Sequence, residues 1–158
     1  MDIPESMKAE LQACNNGKGI DLESWIGLSG NFSLAVGYAS IFCPKFIQFE
    51  DYIFVGEDMD DDSIKTVRAF EKGNTPQSVE IVINHFHIWH LHYVGCPDLS
   101  VDKVIVIGEA LKNIYEARLQ YLFPERPCTV EFFKPEDSED IEKYYISFWQ
   151  KKHESKNA

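Results

Sequence analysis

Basic residues are scarce in this chain. Lysine and arginine together number 15 against 26 aspartates and glutamates, which gives a formal net charge of −11 over 158 residues. Affinity for a phosphate backbone comes mainly from clustered Lys and Arg side chains, so this balance argues against a nucleic-acid-binding protein. The same excess of negative charge disfavours binding to an anionic membrane surface.

Long apolar runs are also missing. A membrane-spanning helix needs roughly 18 or more consecutive apolar residues, and the sequence contains no such run. The first residues include Asp2, Glu5 and Glu10, whereas a secretory signal begins with basic residues and continues with about 7 to 15 apolar ones. We therefore expect a cytoplasmic protein that does not associate with a membrane.

The cysteines number only four, and no two of them form a C-x-x-C pair. That spacing is typical of zinc ribbons and thiol redox motifs, so neither class is expected. We interpret the cysteines as reduced, and we expect Cys43 and Cys128 to pack among apolar neighbours.

Apolar residues are present in sufficient number for a core, since 44% of the chain is hydrophobic and 13% is aromatic. A domain of this length buries roughly 70% of the surface that its unfolded chain exposes. We therefore expect one globular domain over residues 1–158, with a frayed tail at 153–158.

The pattern of apolar residues predicts an α+β fold. Helical spacing, together with capping residues such as Asn31 and Thr75, predicts four to five helices packed on a small antiparallel sheet. Short apolar runs and period-two alternation predict the strands. These strands are expected near 51–55, 128–133 and 144–150.

The segment 78–93 has two possible structures. Thr75 followed by Pro76 is a typical helix start, and the segment is longer than the usual strand of roughly 3 to 10 residues. The β-branched residues after Ser78 favour a strand instead. We predict a helix, with a strand as the alternative.

Four of the five histidines lie in this segment, at positions 85, 87, 90 and 92. On a helix, where each residue turns by about 100°, His87 and His90 share one side while His85 and His92 share another. Either pair could bind a divalent metal if another element supplied a third ligand. On a strand, His85 and His87 would share a face. The alternative is that no cofactor is bound and the histidines hydrogen-bond their neighbours.

The last two predicted strands have one face whose role the sequence leaves open. Alternation directs Tyr144, Ile146 and Phe148 into the core. The opposite face carries both aromatic and polar residues, so either a helix covers it or it contacts a partner. The candidate partner-binding residues on that face are Glu131, Phe133, Tyr145 and Trp149.

No motif specifies a reaction. The metalloprotease pattern H-E-x-x-H is absent because Phe86 follows His85, and residues 27–30 are one residue short of the nucleophile pattern G-x-S-x-G. The sequence therefore favours a protein that is not an enzyme.

Several segments carry a resemblance. They are Phe32 with Ala35, then 40–46, 84–88, 111–124 and 146–150. Together they span most of the chain and resemble a family of small acidic bacterial proteins of unknown function. This resemblance implies a bacterial cytosolic protein with one domain, and it implies no mechanism.

Two functions from different classes follow from these features. The first is a protein-binding or inhibitory module of the immunity-protein type, which binds a basic protein partner. The net charge and the acidic runs at 57–62 and 136–140 would steer that encounter. The second is a metal-dependent or histidine-based enzyme that uses the histidines from His85 to His92. We favour the first.

Overall fold

The computed structural model describes residues 2–92, 98 and 100–154 of the chain. Within these residues it has the predicted α+β class, with six α-helices and two small antiparallel sheets. The helices are α1 (Glu5–Gly17), α2 (Leu22–Ser29), α3 (Phe32–Phe42), α4 (Asp61–Glu71), α5 (Pro76–Ile83) and α6 (Val101–Leu122). The strands are β1 (Phe46–Phe49), β2 (Tyr52–Val55), β3 (Phe86–His87), β4 (Cys128–Phe133) and β5 (Tyr145–Gln150). Short 3₁₀ helices are present at Ile88–His92, Ile141–Lys143 and Lys151–His153.

Side-chain caps define where several helices begin. Asn31 Oδ1 accepts a hydrogen bond from Leu34 N at 2.9 Å, and Thr75 Oγ1 accepts one from Ser78 N at 3.2 Å. Pro76 follows at the first helical position, where its missing N–H is not needed. Both predicted helix starts are confirmed.

The strands are divided between two sheets. β1 and β2 form an antiparallel hairpin, and β5 lies between β3 and β4 with antiparallel pairing on both sides. β2, β4 and β5 match the predicted strands near 51–55, 128–133 and 144–150. The sequence does not predict β1, and it gives a strand at β3 only as the alternative to a helix. β3 has two residues and is too short to establish a clear period.

The core lies between α6 and the three-stranded sheet. Tyr144, Ile146 and Phe148 are at most 1% exposed, as the alternation predicts. They pack with Leu111 and Tyr115 of α6. Burying an apolar side chain of this size contributes roughly 1.5–3 kcal/mol, so this layer supplies much of the stability.

Glu80 and Asn84, one helical turn apart, connect the two sheets. Glu80 Oε1 accepts a hydrogen bond from Ile53 N of β2 at 3.0 Å, and its Oε2 accepts one from Gln150 N of β5 at 2.8 Å. Asn84 Nδ2 donates to the carbonyl oxygens of Ile53 and Phe148. Both side chains are buried. They take the place that a neighbouring strand would occupy, and so satisfy backbone groups at the edges of β2 and β5.

The helix predicted over 78–93 is wrong beyond Ile83. Phe86–His87 pairs with β5, and Ile88–His92 forms a 3₁₀ helix, while residue 93 lies outside the described residues. The helix ends because the Asn84 side chain hydrogen-bonds to the backbone of both sheets, and the backbone that follows pairs with β5. The strand alternative is therefore correct for Phe86–His87.

Two residues of the predicted frayed tail are held against the sheet. His153 Nδ1 lies 2.9 Å from Glu80 Oε2. Glu154 accepts hydrogen bonds from Trp149 Nε1 at 3.1 Å and from Thr129 Oγ1 at 2.6 Å. The tail prediction is therefore wrong for residues 153 and 154, and residues 155–158 lie outside the described part of the chain.

Candidate functional site

Four rings form a continuous row on the three-stranded sheet. Tyr145 of β5 is directly opposite Phe133 of β4 and His87 of β3, and opposed residues of antiparallel strands share one face. The Phe133 and Tyr145 rings stack with 4.7 Å between their centroids. The His85 ring packs on Tyr145 at 4.0 Å. We call Phe133, Tyr145, His85 and His87 the histidine–aromatic row.

His85 and His87 meet within this row. Their Nε2 atoms are 2.9 Å apart, which fits a hydrogen bond in which one neutral ring donates and the other accepts. Both side chains are half-buried. Burial, followed by the proximity of His87 and His90, lowers the pKa of His85. The neutral form of His85 is therefore favoured.

The predicted metal-ligand pairs are arranged less closely. The His87 and His90 ring centroids are 5.3 Å apart, and His90 is exposed. His92 Nε2 instead lies 2.6 Å from the Tyr38 hydroxyl of α3. The short contact therefore joins His85 to His87, which is the pair that the strand alternative places on one face. Over residues 2–92, 98 and 100–154, no group of three or more His, Cys, Asp or Glu side chains is arranged to hold a metal ion.

The four predicted partner-binding residues differ in their accessibility. Trp149 is only 9% exposed, and its indole N–H donates to a carboxylate at the end of the described chain. Nearby, the Ser147 hydroxyl donates to a carbonyl oxygen of α5 at 2.7 Å, so α5 covers this part of the face. Glu131, Phe133 and Tyr145 are half-buried. The accessible part of the sheet face is therefore its end at Phe133 and Tyr145.

Helices α2 and α3 carry large apolar side chains on the molecular surface. Neither helix contains a buried residue. The exposed fraction is 92% for Phe32, 74% for Leu28 and 71% for Val36. Residues 24–44 include no Asp, Glu, Lys or Arg. We call the exposed residues of this region the α2–α3 surface, which consists of Ile26, Leu28, Phe32, Leu34 and Val36.

The sequence pattern did not identify the α2–α3 surface. Apolar residues at helical spacing predict α3 correctly, but the same spacing occurs in helices that are covered by the core. The core contact of α3 involves Ile41 and Phe42 at its C-terminal end. The signal that could have revealed the surface is the absence of any charged residue in α3, because a helix that is apolar on all sides normally requires a covering partner.

A cleft of about 250 Å³ opens beside the histidine–aromatic row. Its lining includes His85, Ser40, Asn84 and Tyr115. The Ser40 hydroxyl, the Asn84 amide and the Tyr115 hydroxyl already donate to backbone carbonyl oxygens of the chain. Among the described lining residues, His85 is the one histidine.

The acidic run at 57–62 lies beside a second cleft, of about 320 Å³, at the start of α4. Phe54 and Val67 supply apolar lining to this cleft. Asp60 Oδ1 accepts a hydrogen bond from Ser63 N at 2.8 Å and caps the helix. Part of this negative charge therefore interacts favourably with the positive, N-terminal end of the α4 helix dipole.

Among the described residues, no helix combines the length and the apolar content that a membrane crossing requires. Comparison with protein-family models, with curated proteins and with solved structures finds no match to this chain. The resemblance to a family of small acidic bacterial proteins therefore remains a prediction from the sequence.

Proposed function

We propose that this protein is a cytoplasmic protein-binding module that docks a basic protein partner on the α2–α3 surface. The observation that carries the proposal is the exposure of Phe32, which is 92% accessible within an uncharged stretch of an otherwise highly charged chain. Exposed apolar patches mark interaction sites, and Phe32 and Val36 are one turn apart on α3. An interface centred on Phe32 and Val36 would bury these side chains.

Carboxylates lie at the α2 end of this surface. Asp21 caps α2, and Glu23 is exposed in its first turn. The indole N–H of Trp25 donates to Glu10 of α1 at 3.0 Å, which fixes a further carboxylate nearby. An apolar surface with carboxylates at one end is complementary to a partner that carries Lys and Arg beside apolar side chains. The net charge of −11 would also accelerate encounter with such a partner and oppose nucleic-acid binding.

An inhibitory role of the immunity-protein type is the finer form of this proposal. It requires that the basic partner be an enzyme whose activity falls when the complex forms. The alternative, a metal-dependent or histidine-based enzyme, has less support. In the cleft beside His85, the hydroxyl and amide groups that could assist catalysis are engaged with the backbone.

The proposal is tested with the double variant Phe32→Ser/Val36→Ser and the control Tyr121→Ser, in which an 84%-exposed aromatic residue of α6 is replaced. Each tagged protein is used to capture partners from an extract of the source organism. The captured protein is then purified and titrated against each variant. We expect a positively charged partner whose affinity falls at least about tenfold for the double variant and stays unchanged for the control.

Three results would contradict this proposal. The partner could carry net negative charge, the control could lose as much affinity as the double variant, or the double variant could bind like the wild type. The variant Glu131→Lys tests the other predicted surface. If that variant loses the partner while Phe32→Ser/Val36→Ser retains it, the partner docks on the sheet face beside Phe133 and Tyr145. Circular dichroism of each variant confirms that the fold is retained.

A further inference from the structure

We propose that His85 and His87 form a binding site for a divalent transition-metal ion of the Cu²⁺ type. The Nε2 atoms of the two rings face one another at 2.9 Å. A metal ion bound to both at the usual distance of about 2.1 Å would have an N–metal–N angle of about 90°. Both nitrogens are therefore close enough to bind one ion, once the proton of the donating ring moves from its Nε2 to its Nδ1 atom.

The nitrogen–nitrogen distance is closer to the spacing of ligands on a tetragonal ion than on a tetrahedral one. Two nitrogens in a tetrahedral zinc site are about 3.4 Å apart at the same bond length, whereas 2.9 Å between Nε2 of His85 and Nε2 of His87 fits neighbouring positions of a square-planar or octahedral ion. Imidazole ligands in tetragonal geometry select Cu²⁺ and Ni²⁺, and Cu²⁺ binds most tightly among the divalent ions of this series. We therefore expect Cu²⁺ to bind more tightly than Zn²⁺.

The sheet holds the two rings in place. Backbone pairing sets His87 opposite Tyr145, and the His85 ring packs on the same tyrosine at 4.0 Å. Tyr145 is in turn stacked on Phe133. Rigid neighbours of this kind reduce the entropy that a metal site loses on binding. A neutral imidazole is the form that binds metal.

The affinity of this site is expected to be moderate. Two protein ligands leave the remaining coordination positions to water. When Nε2 of His87 binds a metal, the ring proton must occupy Nδ1, which is buried and has no hydrogen-bond partner within the described residues. An unsatisfied buried N–H is unfavourable. We therefore expect a dissociation constant in the micromolar range.

The test uses the full chain without a histidine tag and titrates it with CuCl₂ and, separately, with ZnCl₂ by calorimetry. Electron paramagnetic resonance of the Cu²⁺ complex counts the coordinated nitrogens. We expect one Cu²⁺ per chain with two nitrogen ligands, and Cu²⁺ affinity at least about tenfold above that of Zn²⁺. His85→Gln and His87→Gln should each weaken Cu²⁺ binding at least about tenfold and reduce the nitrogen count to one.

His92→Gln is the matched control because His92 contacts Tyr38 rather than the other histidines. Its Cu²⁺ affinity should equal that of the wild type. Equal weakening by His92→Gln, loss of binding in His90→Gln but not in His85→Gln, or no saturable binding would each overturn the proposal. Broadening of the His85 and His87 ring resonances by substoichiometric Cu²⁺ tests the site in the wild type, without any variant. If other histidines broaden first, the site is elsewhere.

Discussion

Gln150 donates two hydrogen bonds to Glu80 inside the molecule, from its backbone N–H to Oε2 at 2.8 Å and from its side-chain amide to Oε1 at 2.6 Å. The Glu80 carboxylate also accepts a hydrogen bond from Ile53 N at 3.0 Å, and His153 Nδ1 lies 2.9 Å from it. Both oxygens of Glu80 therefore act only as acceptors. A neutral amide cannot replace this group, because its NH₂ would face N–H donors.

We predict that Glu80→Gln destabilises the protein by about 3 kcal/mol, because buried donors lose a charged acceptor and one oxygen is replaced by a donor. Urea denaturation followed by circular dichroism measures the change. Glu116→Gln is the control, since Glu116 is exposed on α6, and it should change the free energy of unfolding by less than about 0.5 kcal/mol. If Glu80→Gln has as small an effect as the control, the hydrogen bonds of Glu80 do not hold the two sheets together.

Gly108 of α6 permits the closest contact between this helix and the sheet. A Cβ atom at this position would overlap the ring of Phe132 at Cζ. We predict that Gly108→Ala destabilises the protein by about 2–3 kcal/mol, because the ring or the helix must shift. Combining it with Phe132→Leu should cost less than the sum of the two single changes, and thermal unfolding of all four proteins measures this coupling.

Gly37→Ala is the matched control for Gly108→Ala. Gly37 is also helical, but among the described residues no atom beyond its chain neighbours and its own helix backbone lies within 4 Å of a Cβ at this position. Alanine is favoured over glycine in a helix by roughly 1 kcal/mol, so Gly37→Ala should stabilise the protein. If both alanine variants were stabilising, α6 would not be in close contact with Phe132.

The parts of the fold that follow from local patterns were predictable. The buried face of β5 was predicted because apolar residues at alternate positions of a strand indicate which of its sides faces the core. The end of α5 was not predictable from a local pattern. It depends on hydrogen bonds from Glu80 and Asn84 to strands that are 27 to 70 residues away in sequence. The same dependence on distant residues explains why the His85–His87 pair was given only as an alternative, since β3 exists through its pairing with β5.

The two candidate interaction surfaces differ in the same way. Helical spacing in α3 predicts a helix without indicating whether another element covers it, so the exposure of Phe32 required the structure. Glu131, Phe133 and Tyr145 were correctly placed on one face by alternation. The burial of Trp149 depends on the chain after β5, where Glu154 accepts a hydrogen bond from the indole. No local sequence pattern predicts this hydrogen bond.

The cysteines are predicted to differ in reactivity. Cys43 is exposed, contrary to the expectation from the sequence, whereas Cys128 packs against the core as expected. Burial, followed by the charge of Glu80, raises the pKa of the Cys128 thiol to about 12. Because the thiolate is the reactive form, we expect iodoacetamide at neutral pH to label Cys43 and leave Cys128 unmodified in the folded protein.

Peptide mass spectrometry after brief labelling measures the modification of each cysteine. The same labelling in concentrated guanidinium chloride is the control, and both residues should then react at similar rates. Rapid modification of Cys128 in the folded protein would show that the edge formed by β4 opens readily.

Asp102 and Ser6 connect α6 to α1. The Ser6 backbone N–H donates to Asp102 Oδ2 and the Ser6 hydroxyl donates to Oδ1, each at 2.8 Å. The backbone hydrogen bond from Ser6, followed by that from its hydroxyl, lowers the pKa of Asp102 below its usual value of 3.8. The folded state therefore favours the ionised carboxylate. Its contribution to stability is present above the unfolded pKa and is lost as pH falls through the folded pKa.

We predict that Asp102→Asn lowers the melting temperature at about pH 7 and that this difference shrinks as the pH falls through the pKa that Asp102 has in the folded state. The amide would also place its NH₂ near the Ser6 donors, which weakens the contact at neutral pH. Glu116→Gln is the control, because Glu116 is exposed, and it should have little effect at either pH. Scanning calorimetry of the three proteins across this range measures the effect. A melting-temperature difference of the same size at both ends of the pH range would show that the carboxylate charge of Asp102 does not hold α1 on α6.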